Sequence, residues 1–318
     1  MNSPIVTIIC VCYNQAKFVE EALDSVVSQT YKSIELIVID DGSADGSVKV
    51  IKNWISKHPE TTLLINAANL GYCKTFNKAF GISTGSYCVD LAADDVMMPE
   101  RVEKQVSFFE SNDSELGVVF SNAMYINAEG KFMRDHFEYL FRKGLISRIP
   151  QGDVYRDVLT TYFIPSPTMM IRRQVLDTLG GYDESLSYED FDFWVRSSRL
   201  FTYGYIKESL TKIRRTGTSM SSGWYKSGDR QLYSTYLVCK KAIELNRDEQ
   251  DLAALLLRIR YEIRQSVFSQ NNEEARLFFE LLKTLGRVTL RDKFMQFLNF
   301  FKFPLGRIRE IYHRVRFE

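Results

Sequence analysis

Residues 5–43 read IVTIICVCYNQAKFVEEALDSVVSQTYKSIELIVIDDGS. Two β-branched runs, 5–12 and 34–39, bracket a segment whose apolar positions Phe18, Ala22, Val26 and Val27 share one helical face, with Glu20, Glu21 and Asp24 on the other. A strand, a crossover helix and a second strand make a βαβ unit, whose two strands run parallel. Neither run alternates with polar residues, as expected of strands covered on both faces. The pattern continues outward with strands over 61–66, 86–91 and 117–121. A further helix carries Val48, Ile51 and Ile55, and Ser43 and Asp45 are placed to cap it. The chain therefore reads as α/β, a mostly parallel sheet flanked by helices.

Ligands of such sheets bind beyond the carboxyl ends of the strands, where loops and helix N-termini converge. Tyr13-Asn14 follows the first strand, Asp40-Asp41-Gly42-Ser43 the second and Asp94-Asp95 the fourth. The Asp40–Ser43 run either builds a turn or presents a carboxylate to a nucleoside. Asp94 and Asp95 are sharper. Like charges about 4 Å apart repel by roughly 4 kcal/mol at an effective dielectric near 20. The pair therefore needs water or a cation, and hard oxygen ligands suit Mg²⁺ or Mn²⁺. A third acidic group, Glu189-Asp190-Phe191-Asp192, opens a helix on which Phe191, Trp194 and Val195 face the core. Its acids either favour the helix dipole or supply a general base, which burial would have to strengthen.

Residues 122–160 are less regular and contain a basic stretch, MRDHFEYLFRKG, that reads as a loop or lid. Beyond about 225 the strand signal gives way to amphipathic helices, one with Leu252, Leu255, Leu256, Ile259 and Ile263 on a single face. The expected division is 1–222, with halves 1–100 and 101–222, and a helical extension 223–318. Its last part, 287–318, holds eight Lys or Arg and three acids among phenylalanines, a composition suited either to a membrane interface or to a packed terminal helix.

With 318 residues, 45% hydrophobic and 25% charged, the chain is neither collagenous nor disordered. Its 41 basic and 40 acidic residues give +1, so no overall field favours nucleic acid. Five cysteines without a C-x-x-C pair and three scattered histidines complete no zinc spacing, and reduced thiols fit a cytosolic protein. The apolar run Ile5–Tyr13 is too short to cross a membrane and follows no basic segment, so the expected location is cytoplasmic, with a peripheral contact on the inner face of the cell membrane through 287–318. G-x-S-x-G and the P-loop motif are absent.

In order and approximate spacing, Thr7–Asn14, Ser28-Gln29-Thr30-Tyr31, Glu35–Ser43 with Asp45, Asn69-Leu70-Gly71, Asn77, Gly85, Asp94–Pro99, and Leu179–Asp183 to Glu189-Asp190 and Trp194 together resemble the family 2 glycosyltransferases of the GT-A fold. The resemblance implies a Rossmann-like mixed sheet and an inverting transfer of a sugar from a nucleotide-diphosphate donor, expected to be a UDP-sugar, to an acceptor hydroxyl. The acceptor would be a saccharide or lipid-linked saccharide in surface polysaccharide or glycoconjugate synthesis. It also implies that Asp41 contacts the nucleobase, that the strand-one backbone at Val11, Cys12 and Tyr13 forms the nucleoside pocket, and that Asn14 and Asn69 belong to the donor-binding residues. Asp95 would be the direct ligand of Mn²⁺ or Mg²⁺, Asp94 would lie nearer the ribose or donor sugar, and Asp190 would be the catalytic base, with Glu189 and Asp192 as fallbacks. Two departures stand out: Ala92-Ala93 precede the aspartates where many relatives have Asp-Ala, and Thr216 follows Arg214-Arg215 where relatives often have histidine. Arg214 or Arg215, the latter assigned to donor binding, would then supply positive charge to the diphosphate. The competing functions are a sugar nucleotidyltransferase, which usually needs a glycine-rich basic loop that 13–17 lack, and a noncatalytic nucleotide-binding or scaffold protein.

Overall fold

The computed structural model describes residues 3–216, 225–226 and 228–302. Its first part alternates as expected: β1 (Val6–Cys12), α1 (Val19–Val27), β2 (Ile34–Asp40), α2 (Ser47–Ile55), β3 (Thr62–Ile65), α3 (Tyr72–Phe80) and β4 (Tyr87–Ala92). There follow β5 (Val96–Met97), α4 (Arg101–Glu110), β6 (Leu116–Ile126), β7 (Phe132–Asp135), α5 (His136–Arg142), α6 (Tyr155–Thr160), β8 (Met170–Arg172), α7 (Arg173–Leu179), α8 (Asp190–Ser197) and β9 (Thr202–Arg214). Four helices close the described chain: α9 (Arg230–Leu245), α10 (Glu249–Phe268), α11 (Asn272–Thr284) and α12 (Leu290–Phe300).

Among the described residues nine strands share one sheet, ordered β3-β2-β1-β4-β8-β6-β9-β5, with β7 paired to β6. Strands β1 to β4 are parallel, β8 runs antiparallel between β4 and β6, and β6 and β9 are again parallel. The sheet is mixed and mostly parallel, as read from the sequence. The short β8 therefore joins two parallel halves and brings the ends of β4 and β9 within reach of each other. β9 escaped the sequence reading because Gly204, Lys207, Glu208 and Lys212 interrupt its apolar residues. The 122–160 segment is not a loop: it completes β6 and adds β7, α5 and α6.

Side chains along β1 alternate between two cores. Ile8, Cys10 and Cys12 join the cluster under α1, α2 and α4, while Ile9 and Val11 join the larger one that holds Phe76, Phe191 and Trp194. Leu255, Ile259 and Ile263 of α10 belong to that larger cluster, so the helical extension packs on the α6 and α8 side of the sheet. Two local expectations fail. Val27 is exposed, and Val19, Ala22, Leu23 and Val26 form the buried stripe of α1. The N-cap of α2 is Gly46 and Ser43 does not cap it, whereas the Asp45 carboxylate accepts from the amide of Ser47 at the helix start; Ser43 accepts a hydrogen bond from the Asn14 amide and Asp45 another from the Ala16 amide, tying the two turns together.

The boundary at 222/223 and residues 303–318 of the basic-aromatic segment lie outside the described residues. Within that segment, α12 leaves Leu290 83% and Phe300 79% exposed, together with Phe294, Phe297 and Phe301. No helix among the described residues is long and apolar enough to cross a membrane.

Candidate active site

A cleft of about 510 Å³ opens where β1, β4 and β9 end and α8 begins, lined by Val11, Tyr13, Asp94, Asp95, Glu189, Asp190 and Arg215 among others. Acids separated by about a hundred residues in the chain thus share one cavity. The parallel crossovers put the β1 and β4 ends side by side, and α8 enters from across the sheet with Phe191 and Trp194 locked in the core.

Asp94 and Asp95 form one wall. Burial raises both carboxyls, and for Asp95 the neighbouring Asp94 adds to it. Oδ1 of Asp95 accepts a hydrogen bond from the Arg214 amide at 2.8 Å. Arg214 is itself buried and acts as a clamp. Its guanidinium donates to the carbonyls of Asp94, Asn127 and Ala128 and to the Glu21 carboxylate, which fixes the acidic turn against α1 and the end of β6. Those bonds commit Arg214 to holding the turn; Arg215 also lines the cleft, where its guanidinium donates to the Tyr125 hydroxyl. The Arg215 charge opposes the raised pKa of Asp94, Asp95 and Asp190 alike, so its field reaches both acidic groups. Among the described residues no three His, Cys, Asp or Glu gather to hold a metal. Two hard carboxylates on a cleft wall, with the remaining positions left to phosphate and water, nonetheless suit Mg²⁺ or Mn²⁺.

Across the cleft, Glu189 and Asp190 form a buried pair of interacting carboxyls. Burial and the negative charge of Asp190 push Glu189 well above the usual carboxylate range, and Asp190 accepts from both Glu189 and the Ser166 hydroxyl. Asp190 Oδ1 is buried without a hydrogen-bond partner. An unsatisfied carboxylate oxygen of this kind costs free energy until a donor reaches it. Burial raises the Asp190 pKa and outweighs the favourable helix terminus, giving the stronger base that the sequence alone left open.

Asp90 had drawn no attention in the sequence, although a lone acid in the apolar run YCVDLA was the available signal. It lies on the same face of β4 as Ala92, receives hydrogen bonds from Tyr72 (2.7 Å) and Tyr182 (3.0 Å), and is pushed up to about 7 by burial. Asp90 is not itself in the cleft wall, but Tyr72, which donates to it, is, and the Asp90 charge adds to the raised pKa of Glu189. His136, also overlooked, lines the cleft; burial takes it down to about 4, so the ring is neutral between Phe163 O and the Tyr125 hydroxyl.

Other expected residues lie elsewhere. Asp192 is removed from the candidate bases: it is 1% exposed, outside the cleft wall, and ion-paired with Arg196 and Lys241. The Cys12 side chain faces the apolar cluster, burial pushes its thiol up to about 12, and only its backbone is turned to the site, accepting from the Asp41 amide. Asp41 is buried beside the cleft rather than in its wall. Its carboxylate accepts from Asn66 Nδ2 and from the amides of Leu70 and Gly71, which holds the Asn69 turn; Asn14 pins the 43–44 turn in the same way. Gly42 has φ +73°, and a Cβ there would sit 2.6 Å from the Ala68 carbonyl carbon, so this crowded junction requires glycine.

The family model "Glycosyl transferase family 2" matches residues 7–180. The uncharacterized glycosyltransferase MJ1057 of Methanocaldococcus jannaschii is 29% identical over 218 residues, covering 67% of this chain and 72% of the relative. An uncharacterized glycosyltransferase of Haemophilus influenzae is 29% identical over 236 residues, covering 70% of this chain and 68% of the relative. Among solved structures, S. aureus TarS 1–349 in complex with UDP-GlcNAc superposes with TM-score 0.67 at 18% identity, covering 96% of this chain and 92% of that one. Mannosyltransferase PcManGT from Pyrobaculum calidifontis, in complex with GDP-Man and Mn²⁺, gives 0.61 at 17% identity, covering 96% and 87%. The fold is that of the GT-A glycosyltransferases. This chain belongs to glycosyl transferase family 2.

Proposed function

We propose that the protein is an inverting glycosyltransferase that moves a sugar from a nucleotide-diphosphate donor to an acceptor hydroxyl, with Asp190 as general base. The observation that carries this reading is the buried, unpartnered Oδ1 of Asp190 in the same cleft as Asp94 and Asp95. The nucleoside would sit by Tyr13 and the turns held by Asp41, Asn14 and Asn69, with the diphosphate between the aspartate pair and Arg215. A divalent cation held by Asp95 and Asp94 would neutralise charge on the leaving diphosphate. Arg215 adds a second, permanent positive charge there. Asp190 accepts the acceptor proton at Oδ1 while the acceptor oxygen attacks the anomeric carbon and the bond to the diphosphate breaks. One displacement inverts that centre, through a transition state akin to that of glycosidases.

The test is a panel of nucleotide sugars, UDP-sugars first, followed by thermal shift and product analysis with and without Mn²⁺. One nucleotide diphosphate should stabilise the protein in preference to the others, and the product should carry the inverted linkage. A donor that binds yet never turns over would instead support the noncatalytic reading.

We place the acceptor in surface polysaccharide or glycoconjugate synthesis, with α12 and the segment after it resting on the membrane. The exposed Leu290, Phe294, Phe297 and Phe300 lie among Arg291, Lys293 and Lys302, the pairing that interfacial helices use on anionic lipid. The full chain should float with vesicles containing phosphatidylglycerol, and the double variant Phe294→Ser, Phe297→Ser should not. Equal flotation of the two proteins would remove α12 from the contact.

A further inference from the structure

The basic stretch in 131–148 is not absorbed by the donor site, and its side chains form a chain of cations on aromatic rings leading out of the cleft. Arg215 lies 4.8 Å from the centre of the Tyr125 ring and Arg134 4.7 Å from the same ring. Arg134 also stacks 3.9 Å from Tyr139, around which Arg142 (6.0 Å) and Lys143 (5.9 Å) gather. Tyr125 lines the cleft, so the row runs from the donor cation to the surface of α5.

Such a row of like charges is unfavourable unless something negative offsets it. Among the described residues no carboxylate forms an ion pair with Arg134, Arg142 or Lys143, whereas most other arginines of the fold have one. The nearby acids are Asp135 and Glu138. Asp135 caps α5 through the Glu138 amide and accepts from Asn122 and Ser209, and Glu138 points to solvent. The field of Arg134 and Arg215 reaches inward, where both oppose protonation of His136. Beside the cations, Phe132 (64%), Met133 (56%) and Phe141 (44%) are exposed. A solvated basic face has no use for three large apolar side chains, but a phosphate on a hydrocarbon chain uses both.

We infer that Arg134, Tyr139, Arg142 and Lys143, continued by Tyr125 and Arg215, form a track for an acceptor carried on a lipid phosphate. The phosphate rests on the cations, the chain lies against Phe132, Met133 and Phe141, and the reacting hydroxyl is delivered towards Asp190. This rests on the glycosyltransferase reading above and gives its acceptor a chemical class.

The test uses farnesyl phosphate below its micellar concentration, with farnesol and inorganic phosphate as comparison probes and calorimetry as the readout. Farnesyl phosphate should bind the full-length protein at least ten-fold more tightly than either comparison probe. The preference should shrink to within two-fold in the triple variant Arg134→Gln, Arg142→Gln, Lys143→Gln, with affinity for the preferred nucleotide diphosphate unchanged. It should also weaken steeply between 50 and 300 mM salt, as charge pairing at a surface does. Farnesol binding as tightly as its phosphate, or a preference that survives the triple variant, would overturn the track. Inorganic phosphate binding as tightly as farnesyl phosphate would overturn its lipid half. Because nucleotide binding is measured in the same samples, loss of donor recognition by the wild type would count against the enzyme assignment and not against the track.

Discussion

Asp190→Asn is expected to lower sugar transfer by about 10²–10⁴-fold, the usual worth of a positioned general base, while the affinity for donor stays within about two-fold of wild type. The amide has the same shape and can still accept from Ser166 and Glu189, so the helix start is preserved and only the proton acceptor is lost. Steady-state transfer and donor titration on the same preparation separate the two effects. Unimpaired turnover would mean that another group takes the proton, with Glu189 the one left in the cleft.

The same residue sets the pH dependence. The proposed base works only when ionised, and burial raises the Asp190 pKa, so the acid-side fall in transfer should lie at higher pH than for an ordinary aspartate.

The second large effect is expected at Asp95. Asp95→Asn should cost about 10²–10³-fold in kcat/KM, comparable to losing one electrostatic stabiliser of a developing anion, and should abolish stimulation by added Mn²⁺. Arg215→Ala is the companion measurement. If the arginine shares the diphosphate with the cation, the variant should lose donor affinity and become more dependent on Mn²⁺, whereas normal donor affinity would take Arg215 out of the site. Arg214 is not a clean substitute in this experiment, since its bonds to 94, 127, 128 and Glu21 hold the acidic turn itself.

Local pattern made the first half of the sheet legible. Strands buried on both faces write themselves as unbroken apolar runs, and β1, β2 and β4 stand within a residue or two of where those runs predict them. The same pattern placed Asp94 and Asp95 at a strand end and Asp190 at a helix start, since strand ends and caps are local events. It missed β9, whose stability comes from pairing with β6 and not from its own composition, and it misplaced Ser43 as a cap of α2, where the Asn14 amide takes its hydroxyl instead.

By itself, then, the order of residues determined the α/β class, the parallel strands and which acids stand at their ends, because each follows from periodicity and turn chemistry over fewer than about 15 residues. Only the tertiary structure decided which acids can do chemistry. Asp192 differs from Asp190 by two positions on one helix, yet one is neutralised by Lys241 and Arg196 and the other meets the cleft with a free oxygen. His136 became part of the cleft wall, and Asp90 was tied to it from behind the lining, through side chains brought from β6, α3 and the 182 turn. Burial and the charges across a cavity set protonation, and both depend on partners far away in the chain.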